Sequence, residues 1–210
     1  ISSYIDRNSS EKINDGQDTG NGSLTELYVD DDEDKVTVVV IYTYVFQATE
    51  DYNESSEDVN VAAAGDTEIS LDSYDLDGDD FNIQDVVEDD YLLITASHTS
   101  SSSRYEVQSV AIAELVTGEV TAYGAGDDVT IDGTTYSYAV TTNSDGVKDE
   151  ITSTGGQTTL VLDQYGYIIA VDDTVVGGNY VFIADTSLGN AVDAYAYFSD
   201  GSYGAISLRR

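Results

Sequence analysis

The chain has 210 residues, with 41 acidic and 7 basic side chains, a formal net charge of -34, and no Cys, Pro, Met or Trp. The charge excludes nucleic acid and anionic membranes as attractive partners, and the lack of Cys excludes disulfides and thiolate metal sites. Hydrophobic residues make up 40% of the chain and include 17 Tyr, so the apolar area suffices for a packed core. We therefore expect a folded protein.

The first part of the chain contains a polar stretch and then a long apolar one. Residues 1–25 are rich in Ser, Asn, Asp and Gly without periodicity, which predicts an extended lead-in. Residues 36–48, VTVVVIYTYVFQA, are β-branched and aromatic, which predicts one long, strongly bent strand. Alternation within it places Tyr42, Tyr44 and Phe46 on one face.

The rest of the chain is a series of short alternating segments. Asp132-Gly133 and Asp200-Gly201 are turn pairs typical of tight hairpins, and only Asn82–Glu88 suggests a short helical turn. We predict an all-β fold of two small β-barrel or β-sandwich domains with little helix, at residues 26–124 and 125–210. The further predicted strands are Val59–Ala63, Tyr91–Ala96, Tyr105–Val110, Gly118–Tyr123, Val129–Ile131, Thr134–Val140, Thr158–Leu162, Tyr167–Val171, Asn179–Ala184, Ala194–Phe198 and Ala205–Leu208.

Motifs for catalysis are weak in this sequence. His98 is the one His and precedes a Ser-rich loop, which is typical of a solvated polar residue. With 41 acidic residues, chance supplies every carboxylate spacing, and there is no GxSxG, P-loop or HExxH motif. We predict that the chain is not an enzyme.

Acidic clusters are candidates for Ca²⁺, a cation that prefers carboxylate and carbonyl oxygens. The residues around Gly78 fail as an EF-hand because Ser73 and Gln84 stand at the first and twelfth loop positions, and residues 15–26 lack its middle carboxylates. Solvated acidic turns are the competing interpretation. The candidate metal ligands are Asp30, Asp31, Asp32 and Asp34 in one turn, and Asp75, Asp77 and Asp79 in another, where Asp72 and Asp80 lie nearby.

Several segments, in their order along the chain, resemble the β-rich region of S-layer-homology surface proteins of anaerobic Gram-positive gut bacteria. They are LTELYVDDDEDKVTVVVIYTYVFQATEDY, EDDYLLITA, EVQSVAIAELVTGEVTAY, VTIDGTTYSYAV and TTLVLDQYGYIIAVD. The resemblance covers residues 24–184 and implies an extracellular, wall-tethered protein that assembles as a surface layer or fibre. It supplies no catalytic residues, and the anchoring module is not within these residues.

We accordingly expect a non-catalytic structural segment of the cell surface, stabilised by Ca²⁺ as its only candidate cofactor. Self-association into a lattice or filament is the expected partnership, because strands without Pro must close into barrels or pair at their edges. A head-to-tail contact would use Arg209 and Arg210, and we expect neither nucleic acid binding nor membrane insertion. The alternatives are an adhesin or module that binds cell-wall glycan through its Tyr side chains, and an accessory domain of a surface hydrolase.

Overall fold

The computed structural model describes residues 20–30, 32, 35–98, 102–124, 126–172, 181–186, 193–198 and 203–207. The chain divides into two compact units, Ile1–Asp173 and Thr174–Arg210. Strands dominate both units, which confirms the all-β class. The predicted lead-in lies outside the described residues up to position 19.

The first two strands form an antiparallel hairpin that we call the ribbon. Strand β1 is Ser23–Asp30 and β2 is Lys35–Tyr42, and their register runs from Ser23 opposite Tyr42 to Asp30 opposite Lys35. The ribbon is a two-stranded sheet of its own. The predicted single strand over residues 36–48 is therefore two strands, because Thr43 interrupts it and the chain then enters another sheet.

The first five-stranded sheet is antiparallel and has the order β5-β4-β3-β6-β7. The sequence predicted four of these strands, but it did not predict β5, whose two Asp residues disfavour a strand. Residues 82–88 do not form the expected helical turn; Ile83 and Val86 in that segment are buried in the core instead. The strands are β3 (Tyr44–Ala48), β4 (Asp58–Ala63), β5 (Asp75–Asp77), β6 (Tyr91–Ser97) and β7 (Glu106–Ile112).

The second five-stranded sheet has the order β10-β9-β8-β11-β12 and is also antiparallel. The turn between β9 and β10 has positive φ angles of 48° at Asp132 and 88° at Gly133, as the predicted hairpin requires. A short helix, α1 (Val147–Glu150), precedes β11. The strands are β8 (Glu114–Gly124), β9 (Asp128–Ile131), β10 (Thr134–Ser137), β11 (Gln157–Leu162) and β12 (Ile168–Asp172).

Hydrophobic packing joins these two sheets directly. Each sheet has its own core, and a third cluster lies between them with Val45 and Leu93 from the first sheet and Val161 and Ile169 from the second. The connection from β7 to β8 is one residue, Ala113, which is itself buried in that cluster. Both faces of β3 are thus buried, since Phe46 belongs to the first core and Val45 to the shared cluster.

The predicted domain boundary between residues 124 and 125 falls in the turn of the β8–β9 hairpin. Gly124 pairs with Asp128 there, whereas the chain passes between the sheets at Ala113 and the compact units divide after Asp173. The second unit contains three antiparallel strands in the order β13-β14-β15, with bounds Val181–Thr186, Asp193–Phe198 and Tyr203–Ser207. The predicted turn at Asp200-Gly201 lies outside the described residues.

Candidate functional site

The ribbon presents apolar side chains to solvent on a strongly acidic protein. One face carries Leu27 opposite Val38 and Val29 opposite Val36. Leu27 is 40% exposed and Val29 is 60% exposed. On the other face Tyr28 is 57% exposed, and its hydroxyl donates a hydrogen bond to Glu26 Oε2 at 2.6 Å. Among the described residues, β1 pairs with no strand other than β2.

Two members of the first predicted metal cluster are described: Asp30 ends β1, and Asp32 follows it. The backbone N–H of Asp32 donates to Asp30 Oδ1 at 3.0 Å, which closes a local turn. Asp31 and Asp34 lie outside the described residues, so the prediction that these four residues bind Ca²⁺ stays a prediction.

Two members of the second predicted metal cluster, Asp75 and Asp77, line a concavity of about 220 Å³ beside β5, whereas Asp79 does not. Asp75 accepts a hydrogen bond from Asn60 Nδ2 at 2.5 Å, and Asp77 Oδ1 accepts one from the backbone N–H of Asp79 at 2.8 Å. In the described part of the chain, no three His, Asp or Glu side chains converge closely enough to hold one metal ion. The carboxylates that line this concavity are those of Asp72, Asp75, Asp77, Asp80 and Glu106.

The single His lies where the sequence placed it, at the surface. His98 is exposed, and its ring stacks on that of Tyr105 with centroids 4.4 Å apart and planes 8° apart. Tyr105 in turn meets Tyr44 edge to face at 6.3 Å. These contacts give His98 a packing role against an aromatic pair.

A crevice of about 390 Å³, which the sequence did not predict, lies at the junction of the two five-stranded sheets. Its walls come from residues 42–44, where β2 passes into β3, from residues 66–69 after β4, and from Val140, Thr141 and Asn143 after β10. These segments are far apart in sequence, which is why no local motif indicated the crevice. Among the described residues, its lining contains Asp66 and Glu68 and no Lys, Arg or His.

Hydrogen bonds hold the crevice walls together across the two sheets. The carboxylate of Asp66 accepts hydrogen bonds from the backbone N–H of Asn143 at 2.6 Å and of Val147 at 3.1 Å. Gln164 Nε2 donates to Thr43 Oγ1 at 2.8 Å. Because the bond between Asn143 and Asp66 connects two segments of the wall that are far apart in sequence, the crevice is formed in advance of any ligand.

Two residues of the crevice lining have unusual properties: Tyr44 has a raised pKa, and Thr141 has a buried hydroxyl without a hydrogen-bond partner among the described residues. Burial of the ring raises the pKa of Tyr44 to about 12, and the neighbouring Tyr105 and Tyr42 make smaller contributions to this rise. Thr141 Oγ1 is buried and has no hydrogen-bond partner among the described residues. Buried polar atoms of this kind are uncommon, and they call for an explanation such as a water or a ligand.

Comparison with known proteins gives little further information. No protein-family model matches the chain, and no curated protein matches it. A solved structure described as drosophila Unr CSD456 is similar over 79% of this chain and 81% of that one, with 7% sequence identity and a TM-score of 0.21. At that TM-score the likeness carries no argument. No helix in the described residues is long and apolar enough to cross a membrane.

Proposed function

We propose that the chain is a structural, non-catalytic segment of an extracellular cell-surface assembly, and that copies of it bind one another through the ribbon. The observation that carries this proposal is the exposure of Leu27, Tyr28 and Val29 on a strand whose outer edge has no partner in the described residues. Isolated two-stranded hairpins are only marginally stable in water, so this one gains from a third strand or a covering layer. The extracellular location rests on the resemblance to surface-layer proteins.

The size of the ribbon favours many weak contacts over one stable dimer. Eight residues of a strand extend about 27 Å, so burying one ribbon face against its equivalent removes on the order of 500 Å² in total. Stable pairwise interfaces bury about 1,600 Å². Contacts of this strength hold a lattice or filament together only by repetition, which suits a surface layer.

The packing between the two sheets supports a mechanical role. A buried one-residue connection at Ala113 and a shared hydrophobic cluster leave no flexible linker between the sheets. The hydrogen bonds of Asp66 to Asn143 and Val147 add a polar connection at the same junction. The two sheets should therefore move together under load, without a hinge between them.

The charge of -34 sets the conditions for assembly. Repulsion between copies opposes association at low ionic strength and is screened within about 8 Å at physiological salt. We expect assembly to be promoted by NaCl, and further by divalent cations that accumulate at the acidic turns.

Electron microscopy of the purified chain tests the proposal. Incubation at increasing NaCl should produce regular sheets or fibres, and Leu27→Thr/Val29→Thr should abolish them because Thr keeps the strand but removes the apolar face. Ile112→Thr and Leu115→Thr are matched controls, since both residues are exposed on other strands. If no ordered material forms under any condition, or if the control variants abolish it equally, the structural proposal fails and the glycan-binding alternative becomes the better one.

A further inference from the structure

We propose that the crevice between the two five-stranded sheets binds a small organic ligand through an ammonium group. This inference is independent of ribbon-mediated assembly. The crevice volume of about 390 Å³ falls within the usual range of small-molecule sites, and the hydrogen bond from Asn143 to Asp66 already connects two segments of its wall.

The charge of the lining indicates a cation. Asp66 and Glu68 are two carboxylates in a lining to which the described part of the chain contributes no Lys, Arg or His. Asp66 is already engaged with backbone N–H groups, whereas the exposed carboxylate of Glu68 has no hydrogen-bond or ion-pair partner within the described residues. Glu68 is therefore the carboxylate available to a ligand. The acidity of the whole chain raises the local concentration of cations and lowers that of anions.

The remaining lining favours an organic cation over a metal ion. Tyr42 and Tyr44 are aromatic residues of the lining, and Ile69, Val140 and Ile169 are apolar ones. Hard cations such as Ca²⁺ need several oxygen ligands around one point, and the described residues show no such group. An ammonium group on a carbon skeleton is attracted both to aromatic faces and to a carboxylate, and its skeleton covers the apolar wall.

Hydroxyl groups extend the ligand class to amino sugars. Thr141 lines the crevice, and its hydroxyl has no partner among the described residues. A hydroxyl without a partner in a residue of the crevice wall can donate to and accept from a ligand hydroxyl. The ammonium could thus belong to an alkylammonium compound or to an amino sugar, and different probes separate these sources.

Binding is tested with the full chain by NMR, using the backbone amide signals of Thr141 and Asn143 at constant ionic strength. Choline and glucosamine are the charged probes, and 3,3-dimethylbutan-1-ol and glucose are their uncharged counterparts. We expect saturable shifts with at least one charged probe, and shifts at least roughly tenfold weaker with its uncharged counterpart. The stronger of the two charged probes identifies the source of the ammonium group.

Variants separate specific binding from attraction to the overall charge. Glu68→Gln should weaken binding roughly threefold to tenfold, whereas Glu119→Gln, which removes the same charge outside the crevice, should not. Tyr42→Phe should keep affinity and Tyr42→Leu should lose it. Equal shifts from charged and uncharged probes, no saturable shift from either charged probe, or equal effects of the two Glu variants would overturn the proposal. None of these results bears on ribbon assembly.

Discussion

Asp163 and Gly22 are in direct contact, and the buried carboxylate of Asp163 occupies the space where a Cβ on Gly22 would lie. Asp163 is 4% exposed. Its Oδ1 accepts hydrogen bonds from the backbone N–H of Tyr165 at 2.8 Å and of Tyr167 at 2.9 Å, whereas Oδ2 has no partner among the described residues. Through this contact the turn between β11 and β12 supports the base of the ribbon.

Replacing Gly22 by Ala should destabilise the fold by about 2–4 kcal/mol, because the new Cβ meets Asp163 and the backbone has a φ of +79°. Gly155→Ala is a matched control, since its φ is +83° and no atom lies within 4 Å of the new Cβ. The control should cost only about 1 kcal/mol, the strain of the left-handed backbone. Urea unfolding measures both, and equal losses would show that the contact with Asp163 contributes nothing.

Asp163 should make the stability depend on pH in a defined direction. Desolvation by burial raises the pKa of Asp163 above its ordinary value of 3.8, although hydrogen bonds from Tyr167, Tyr165 and Gly166 oppose that rise. A raised folded-state pKa means that the ionised form is disfavoured in the fold. This group therefore stabilises the fold most below pH 3.8 and loses that contribution as the pH rises through its folded-state pKa.

The free energy of unfolding of the Asp163→Asn variant, relative to that of the wild type, should accordingly be higher at pH 7 than at pH 4. Its amide oxygen still accepts the hydrogen bonds from Tyr165 and Tyr167. The free energy of unfolding of both proteins at the two pH values measures the difference. A variant that loses equal stability at both would show that ionisation of Asp163 carries no cost in the fold.

Two tyrosines should limit stability at alkaline pH. Burial raises the pKa of Tyr44 to about 12, and burial together with Glu150, Asp128 and Asp149 raises the pKa of Tyr138 to about 12. In the unfolded chain both tyrosine hydroxyls ionise near pH 10. Their contribution to the free energy of unfolding is therefore complete below pH 10 and is lost as the pH rises from about 10 to about 12. Tyr44→Phe and Tyr138→Phe should each flatten this decline in thermal unfolding.

Like charges face one another across the edge of the first sheet. Asp58 on β4 lies directly opposite Asp77 on β5, an arrangement that destabilises a sheet. Asp77→Asn should raise stability by about 0.5 kcal/mol at low ionic strength, and the gain should shrink as NaCl screens the pair. Millimolar Ca²⁺ should reduce the gain more than NaCl of equal ionic strength if divalent cations collect here. A salt-independent gain would contradict an electrostatic origin.

The sequence predicted most strands, but it did not predict the break at Thr43 or strand β5, where tertiary contacts outweigh the local sequence pattern. Alternation and β-branched residues were sufficient for β4, β6 and β9. The local sequence does not indicate the break between β2 and β3 at Thr43. The hydroxyl of Thr43 accepts a hydrogen bond from Gln164, which lies in a turn far away in sequence. Similarly, β5 contains one buried residue, Leu76, between two Asp residues, so its pairing with β4 outweighs poor propensity.

The same limit applies to the candidate sites. Clusters of Asp were visible in the sequence, but their spacing in the folded chain, with Glu106 contributed by β7, depends on sheet order. The ribbon's exposure was not predictable either, since residues 36–42 have the composition of a buried strand. The pattern of β1 also predicts burial of one face, because Glu26 and Asp30 mark the other face as solvated while Leu27 and Val29 are apolar.

Sedimentation velocity of the full chain across a series of NaCl concentrations tests ribbon-mediated assembly most directly. The wild type should shift from monomer at low salt to larger, concentration-dependent species at high salt, because screening releases the weak ribbon contact from charge repulsion. Leu27→Thr/Val29→Thr should remain monomeric throughout, while Ile112→Thr/Leu115→Thr should behave as the wild type. A wild-type chain that sediments as a monomer at every salt and protein concentration would contradict the account.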